Sequence, residues 1–315
     1  MSFSLLQPLC ELPLAFVDTE TTGVSPEFGH RVIEVGIVRV HGGRIVAEYQ
    51  QLIDPRRPIS PGVVELTGIS NGMVAGQPTF VQQLPRASEL LQDAIIIGHN
   101  VRFDLSFLHH EFRCCGQEMA DCFPRAMVLD TLQLARRRFG RGGNGLQRLA
   151  RRLGIAPVTA HRALADAQTT YQVFEKMLDT LAGWQTSLAD TLIAHGNPLG
   201  LTLSRESLLP LALEEALEQR KVVMMEYLDA RQHRTRRIIQ PLNVRRFRGE
   251  LVLVAHCQLR DSQRTFKVER IVQLTRMEDL AAPDSAVEIM DRSVDMPPNP
   301  SIEVKTPLDS LEPLA

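Results

Sequence analysis

The sequence predicts an α/β domain with a mixed sheet, followed by a small all-β module. Three observations predict this. Three β-rich runs open the chain, helical and strand patterns then alternate, and a second set of short period-two runs comes after a glycine- and proline-containing break. The chain has 315 residues, enough for two ordinary domains, with 44% apolar and 23% charged residues, which excludes fibrous and wholly disordered classes.

Leu14 to Asp18 reads as a buried strand. Arg31 to Val40 and Arg44 to Ile53 read as two more, joined at His41-Gly42-Gly43 in a hairpin. After a loop around Pro55 to Pro61, Phe80 to Leu91 has helical spacing and Ala94 to Ile97 is a short apolar strand. Phe103 to Phe112, Thr131 to Arg138, Leu146 to Leu153 and Leu164 to Leu181 continue the helical pattern, which Gly140 to Gly145 interrupts. Gly196-Asn197-Pro198 and Gly200 mark a linker. Glu206 to Arg220 reads as a helix. Val222 to Tyr227, Arg237 to Gln240, Leu251 to Cys257, Thr265 to Val268 and Ile271 to Thr275 read as short strands. The expected organisation is a first domain at 12–182, a helical linker at 183–205, a β module at 206–280 and an acidic, proline-rich disordered tail at 281–315.

No apolar run reaches bilayer length, so no membrane partner is expected. The first residues carry no positive charge ahead of their apolar stretch and no clear cleavage site, which argues against a signal peptide. Five cysteines form no C-x-x-C and fit buried thiols rather than a disulfide framework, so a cytoplasmic location is expected.

The net charge of −2 hides a strong asymmetry. Arginines 136, 137, 138, 141, 148, 151 and 152 fall in a stretch without an acid, and could track a phosphate backbone. Arg237, Arg245, Arg246, Arg248, Arg264 and Arg270 crowd the β module and are its candidate anion-binding residues. The tail from Asp284 to Glu312 is acidic and complements them.

The strongest chemical signal begins at FVDTETTG, residues 16–23. A strand ends in Asp18 and Glu20, and residues two apart on a strand share a face. Two carboxylates so placed repel and need cations, for which Mg²⁺ suits oxygen donors. In IIIGHNVRFDLSFL, residues 95–108, a strand turns at His99-Asn100 into a helix with Asp104 in its first turn. In HRALADA, residues 161–167, His161 precedes a helix that contains Asp166.

Together these segments resemble the DEDDh 3′→5′ exonucleases, close to the proofreading subunits of bacterial DNA polymerases, over residues 12 to 180. The family's D-x-E-T-T-G stands at Asp18 to Gly23, H-N-x-x-F-D at His99 to Asp104, and H-x-x-x-x-D at His161 to Asp166. VVELTGIS, residues 63–70, resembles the family's strand-end binding segment. The resemblance implies an RNase H-like fold. It implies two Mg²⁺ or Mn²⁺ ions on Asp18, Glu20, Asp104 and Asp166, with His161 as general base. Thr19, Thr21, Thr22, Leu66, His99, Asn100 and Phe103 become candidates for gripping the terminal nucleotide. The implied substrate is DNA at single-stranded 3′ ends, in repair or proofreading. An RNA-trimming exonuclease and a nucleotide-sensing regulator are the alternatives.

Residues 206–276 resemble a WYL domain, most specifically at Arg264 to Ile271, which reads R-x-F-x-x-x-R-I. Leu251-Val252-Leu253 stands where that family has Trp-Tyr-Leu. The resemblance implies a small SH3/Sm-like barrel that binds nucleic acid or a nucleotide-type ligand.

Overall fold

The computed structural model describes residues 3–123, 126–140, 142–156, 161–196, 209, 211–229, 233–247 and 250–277, without the side chains of 211, 246 and 276. The first sheet contains β1 (Leu14–Thr21), β2 (Val32–His41), β3 (Arg44–Leu52), β4 (Ile95–Gly98) and β5 (Val128–Asp130) in the order β3-β2-β1-β4-β5. β1 pairs antiparallel with β2 and parallel with β4, so the sheet is mixed. Around it run α1 (Pro61–Thr67), α2 (Asn71–Val74), α3 (Phe80–Leu91), α4 (Arg102–Cys114), α5 (Met119–Cys122), α6 (Thr131–Phe139), α7 (Leu146–Arg152), α8 (Ala163–Leu178) and α9 (Leu188–His195).

The alternation of β1 decides where its acids go. Ala15 and Val17 join one core with Leu84, Phe107 and Phe112 of α3 and α4. Leu14 and Phe16 join the other, with Leu134, Leu149 and Phe174 of α6, α7 and α8. Both faces of the strand are therefore covered, which is why Leu14 to Val17 is uniformly apolar. Phe16 meets Tyr171 and Phe174 edge-on at 5.5 and 5.7 Å. Truncating such a fully buried ring costs about 3–5 kcal/mol. Asp18 and Glu20 continue the Phe16 face, towards α8.

Two contacts fix α8 on the sheet. Glu34, wholly buried near the start of β2, accepts from the Arg162 guanidinium at 2.6 Å and from the Ala163 N–H at 2.9 Å. Gly36 lies under the same turn, where a Cβ would run into the backbone of Ala163 and Leu164. Only glycine lets the helix approach so closely.

The second module contains α10 (Leu211–Gln219), β6 (Val223–Leu228), β7 (Arg234–Phe247), β8 (Glu250–Cys257), β9 (Ser262–Lys267) and β10 (Ile271–Arg276). The strands form one antiparallel sheet in the order β10-β6-β7-β8-β9. Tyr227 of β6 and Phe266 of β9 stand at separate positions in that order, yet their rings lie 5.2 Å apart. The Tyr227 hydroxyl also accepts from the Lys267 N–H at 3.1 Å. The sheet is thus strongly curled around a core with Leu213, Ala216, Met225 and Leu253.

The modules touch. Glu65 of α1 accepts from Arg234 at 3.0 Å and from Arg236 at 2.9 Å. Both arginines also pair with the buried Glu226. Phe28 of the first module packs against the second core.

The structure adds elements that the sequence reading lacks. β5 has only three residues, too few to show a period. Most of VVELTGIS lies in the helix α1 at Pro61–Thr67, opened by proline in its first turn and closed at Gly68. β7 runs well beyond the expected Arg237 to Gln240, because its Pro241 sits at an irregularity in the pairing. Within the expected linker, α9 packs on the first module: its His195 accepts the Asp130 N–H at 2.9 Å. Residues 197–208, Arg248 and the expected tail at 281–315 lie outside the described residues. Among the described residues no helix is long and apolar enough to cross a membrane, and the five cysteines are free.

Candidate active site

Asp18, Glu20, Asp104, His161 and Asp166, drawn from three separate stretches of chain, line one open cavity of about 480 Å³. Thr19 points to the other face of β1 and donates its N–H and its hydroxyl to Asp104 Oδ1, each at 2.8 Å. Those two bonds bring the first turn of α4 to the end of β1. On the opposite side, Asp166 Oδ2 accepts the His161 N–H at 2.8 Å and Oδ1 accepts from Gln147 at 2.6 Å. Ligand atoms of Glu20, His161 and Asp166 lie within 4.8 Å of one another. His161 is exposed and has a left-handed backbone (φ 61°), so its ring overhangs the acids from a turn.

The acids are short of positive charge. Burial, then Asp104, Asp166 and Glu20, hold the Asp18 carboxyl well above the usual carboxylate range. Burial, then Asp166, Glu34 and Asp104, raise Glu20, against an opposing pull from Arg162. Burial lifts Asp104 to about 7 despite its two bonds from Thr19. Burial also raises Asp166, opposed by His161. Arg162, the cation beside Glu20, is already committed to Glu34. Four clustered carboxylates of this kind suit hard divalent cations, which take oxygen donors and relieve the repulsion.

Of the residues expected to grip a nucleotide, Thr19, Leu66, His99, Asn100 and Phe103 line this cavity. His99 Nδ1 lies 2.9 Å from the Thr131 hydroxyl, and the Asn100 N–H donates to Asp130 at 2.8 Å. Thr21 and Thr22 do not line it: Thr21 donates to the Gly23 carbonyl at 2.6 Å, and the Thr22 hydroxyl accepts the Arg31 N–H at 3.0 Å.

An exonuclease model of the RNase T type matches residues 15–174, just over half of the chain. The chain belongs to this exonuclease family. A WYL domain model matches residues 210–276. The chain is 35% identical over 166 residues to the 3′-5′ exonuclease DinG of Bacillus subtilis, covering 52% of this chain and 17% of that protein. It is 36% identical over 165 residues to a PolC-type DNA polymerase III of Thermotoga maritima, covering 52% of this chain and 12% of that protein. The chain thus spans less than a fifth of either relative. A solved exonuclease I, in complex with an inhibitor, shares the fold at 15% identity and a TM-score of 0.50, covering 86% of this chain and 66% of that one.

In this exonuclease-family domain, several residues that hold the site together carry no motif. Gln147 steadies Asp166, and Glu34, Gly36 and Arg162 seat α8. Glu34 carried a signal: a carboxylate inside the apolar run Val32 to Val40 requires a buried partner. Glu111 does similar work on α4, accepting from the Arg31 guanidinium at 2.7 and 2.6 Å.

The arginines expected to bind a ligand in the WYL-type module do not share one setting. Arg245 and Arg264 are exposed on β7 and β9. Arg237 lies over the Phe266 ring at 5.9 Å, and Arg270 sits 3.9 Å from Glu269. The Arg246 backbone pairs with Leu251.

Proposed function

We propose that the protein is a 3′→5′ exonuclease that removes nucleotides from single-stranded 3′ ends of DNA, in repair or proofreading. The observation that carries this is the convergence of Asp18, Glu20, Asp104 and Asp166, with His161 above them, in one open cavity. The DNA-directed names of the relatives support the substrate class. Five free cysteines fit a reducing cytoplasm.

The four carboxylates would hold two divalent cations, Mg²⁺ or Mn²⁺, which when bound supply a polarised water and charge stabilisation at the scissile phosphate. The chain's own groups do the rest. An imidazole nitrogen of His161 takes a proton from the attacking water. The water oxygen forms its bond to phosphorus while the bond from phosphorus to the 3′ oxygen breaks. A nucleoside 5′-monophosphate leaves, and the freed 3′ oxygen of the shortened strand takes a proton from solvent to become a hydroxyl. Leu66 and Phe103 pack against the terminal nucleoside, and His99 and Asn100 border it. Asp166 is kept in place by Gln147 and the His161 N–H, so the acid and the base move as one unit.

Matched 5′-labelled DNA and RNA oligonucleotides, incubated with Mg²⁺, test the reading. Progressive shortening of the DNA from its 3′ end is expected, with RNA shortened more slowly. Preferential shortening of RNA would replace the substrate assignment.

A further inference from the structure

Helix α7 has two jobs in this fold. Its Gln147 holds Asp166, while Arg148, Arg151 and Arg152 are exposed along it at three- and four-residue spacing, on one side of the helix. Arg148 and Arg151 line the active cavity. The same two arginines, with Arg152, line a second open cavity of about 620 Å³, whose other lining residues are Gly142, Gly143, Gln219 and Lys221. The two cavities adjoin at these shared arginines, as two parts of one cleft. It runs from the catalytic carboxylates to the junction between the modules.

The second cavity carries four cationic side chains and no carboxylate among its lining residues. Two features build it. Arg152 lies 4.8 Å over the Phe139 ring, and Arg138 lies 4.9 Å over the same ring, which limits where the Arg152 guanidinium can point. Gly142 (φ 96°) lies so close to the end of α10 that a Cβ would sit 2.6 Å from Gln219 Nε2. Its left-handed backbone favours glycine there, and Gln219 and Lys221 of the second module border the same cavity.

We propose that this cleft is a phosphate-binding extension of the active site. It takes the backbone of the strand 5′ of the scissile bond, with Lys221 supplied by the WYL-type module. The idea rests on the exonuclease reading and deepens it. Arginine forks suit phosphate oxygens, and such contacts are blind to base sequence, as an exonuclease requires. From Gln147 to Arg152 the helix rises about 7–8 Å, which spreads its arginines along the cleft rather than gathering them at one point. The second module therefore holds the substrate itself, rather than standing apart as a sensor.

Binding of fluorescent oligodeoxythymidylate in EDTA, across a range of salt, tests this without hydrolysis. Lys221→Gln and Arg151→Gln should each weaken binding several-fold and flatten the slope of log affinity against log salt by about 0.7. Lys221→Arg should keep the slope. Thermal melts of the variants, all changed at exposed positions, confirm folding. Folded Lys221→Gln and Arg151→Gln with an unchanged slope overturn the proposal. Failure to hydrolyse with Mg²⁺ while the slopes change as expected would sink the exonuclease reading and leave the cleft standing.

Discussion

Glu34 on β2 accepts the backbone N–H of Ala163 at 2.9 Å, joining residues 129 positions apart. The same carboxylate takes the Arg162 guanidinium at 2.6 Å. Burial would raise this acid, but the bonds from Arg162, Ala163 and Gln50 bring it below the ordinary carboxylate range. One buried ionised residue thereby sets the position of the turn that bears His161 and the helix that bears Asp166.

Glu34→Ala should destabilise the fold by about 2–3 kcal/mol, since it strands a guanidinium and an N–H against a buried strand. Nuclease activity should fall further than the loss of folded protein explains. Urea unfolding and rates at a temperature well below the melt separate the two. Equal losses in both would reduce Glu34 to a structural part.

Gly36→Ala tests the closeness of α8 more sharply. The added Cβ meets backbone, which cannot turn aside, so a cost of about 3 kcal/mol is expected from one methyl group. A melting temperature within a degree of the parent would show that α8 does not press on β2.

His30 gives the protein an acid-sensitive contact. Burial, then the charge of Arg57, lowers its imidazole to about 4. An unfolded imidazole titrates near 6.5. Between those values the unfolded chain binds more protons, so this contribution is full above pH 6.5 and is lost as pH falls towards 4. His30→Phe should lose less stability than the parent between pH 7 and pH 5. The same loss in both proteins would discount His30.

The metal-free acid cluster has the opposite sign. Burial raises Asp104 to about 7, against an unfolded value near 3.8. Its contribution is present at low pH and is lost as pH rises through 7. In EDTA, Asp104→Asn should gain on the parent in melting temperature between pH 5 and pH 8. Added Mg²⁺ should raise the parent's melt at pH 8 and leave the variant nearly unmoved. A gap that does not change with pH would contradict the crowding of charge at this position.

At the module junction, burial ranks the two acids that share Arg234 and Arg236. The Glu226 side chain is 2% exposed and that of Glu65 is 54% exposed. Glu226→Ala should cost about 3 kcal/mol, whereas Glu65→Ala should cost at most about 1 kcal/mol. Reversed magnitudes would mean that the junction, not the interior of the second module, depends on these arginines.

The clustered acids were legible because their motifs are local. Asp18-x-Glu20 needs only strand alternation, and Asp104 and His161 to Asp166 need only a helix start. The mixed α/β fold followed from apolar runs long enough to show a period. What was not legible is whatever depends on meeting across the chain. Gln147 reaches Asp166 from a helix whose sequence shows mainly arginines. The role of Gly36 exists only because α8 lands on it. Thr21 and Thr22 read as substrate contacts from the motif, yet their hydroxyls are used within the turn that ends β1. The joining of the arginine-rich stretch to Lys221 of the second module could not be read at all, because it needs the two modules docked.

Hydrolysis of a 5′-labelled single-stranded oligodeoxynucleotide by the parent protein and by Asp18→Asn, Asp104→Asn and Asp166→Asn tests the central claim most directly. With Mg²⁺ the parent should shorten the strand from its 3′ end, and each variant should fall by at least about a hundredfold. EDTA should abolish the parent's activity as well. Undiminished shortening by any one of the folded variants, or by the parent in EDTA, would contradict a cation-holding cage of these carboxylates.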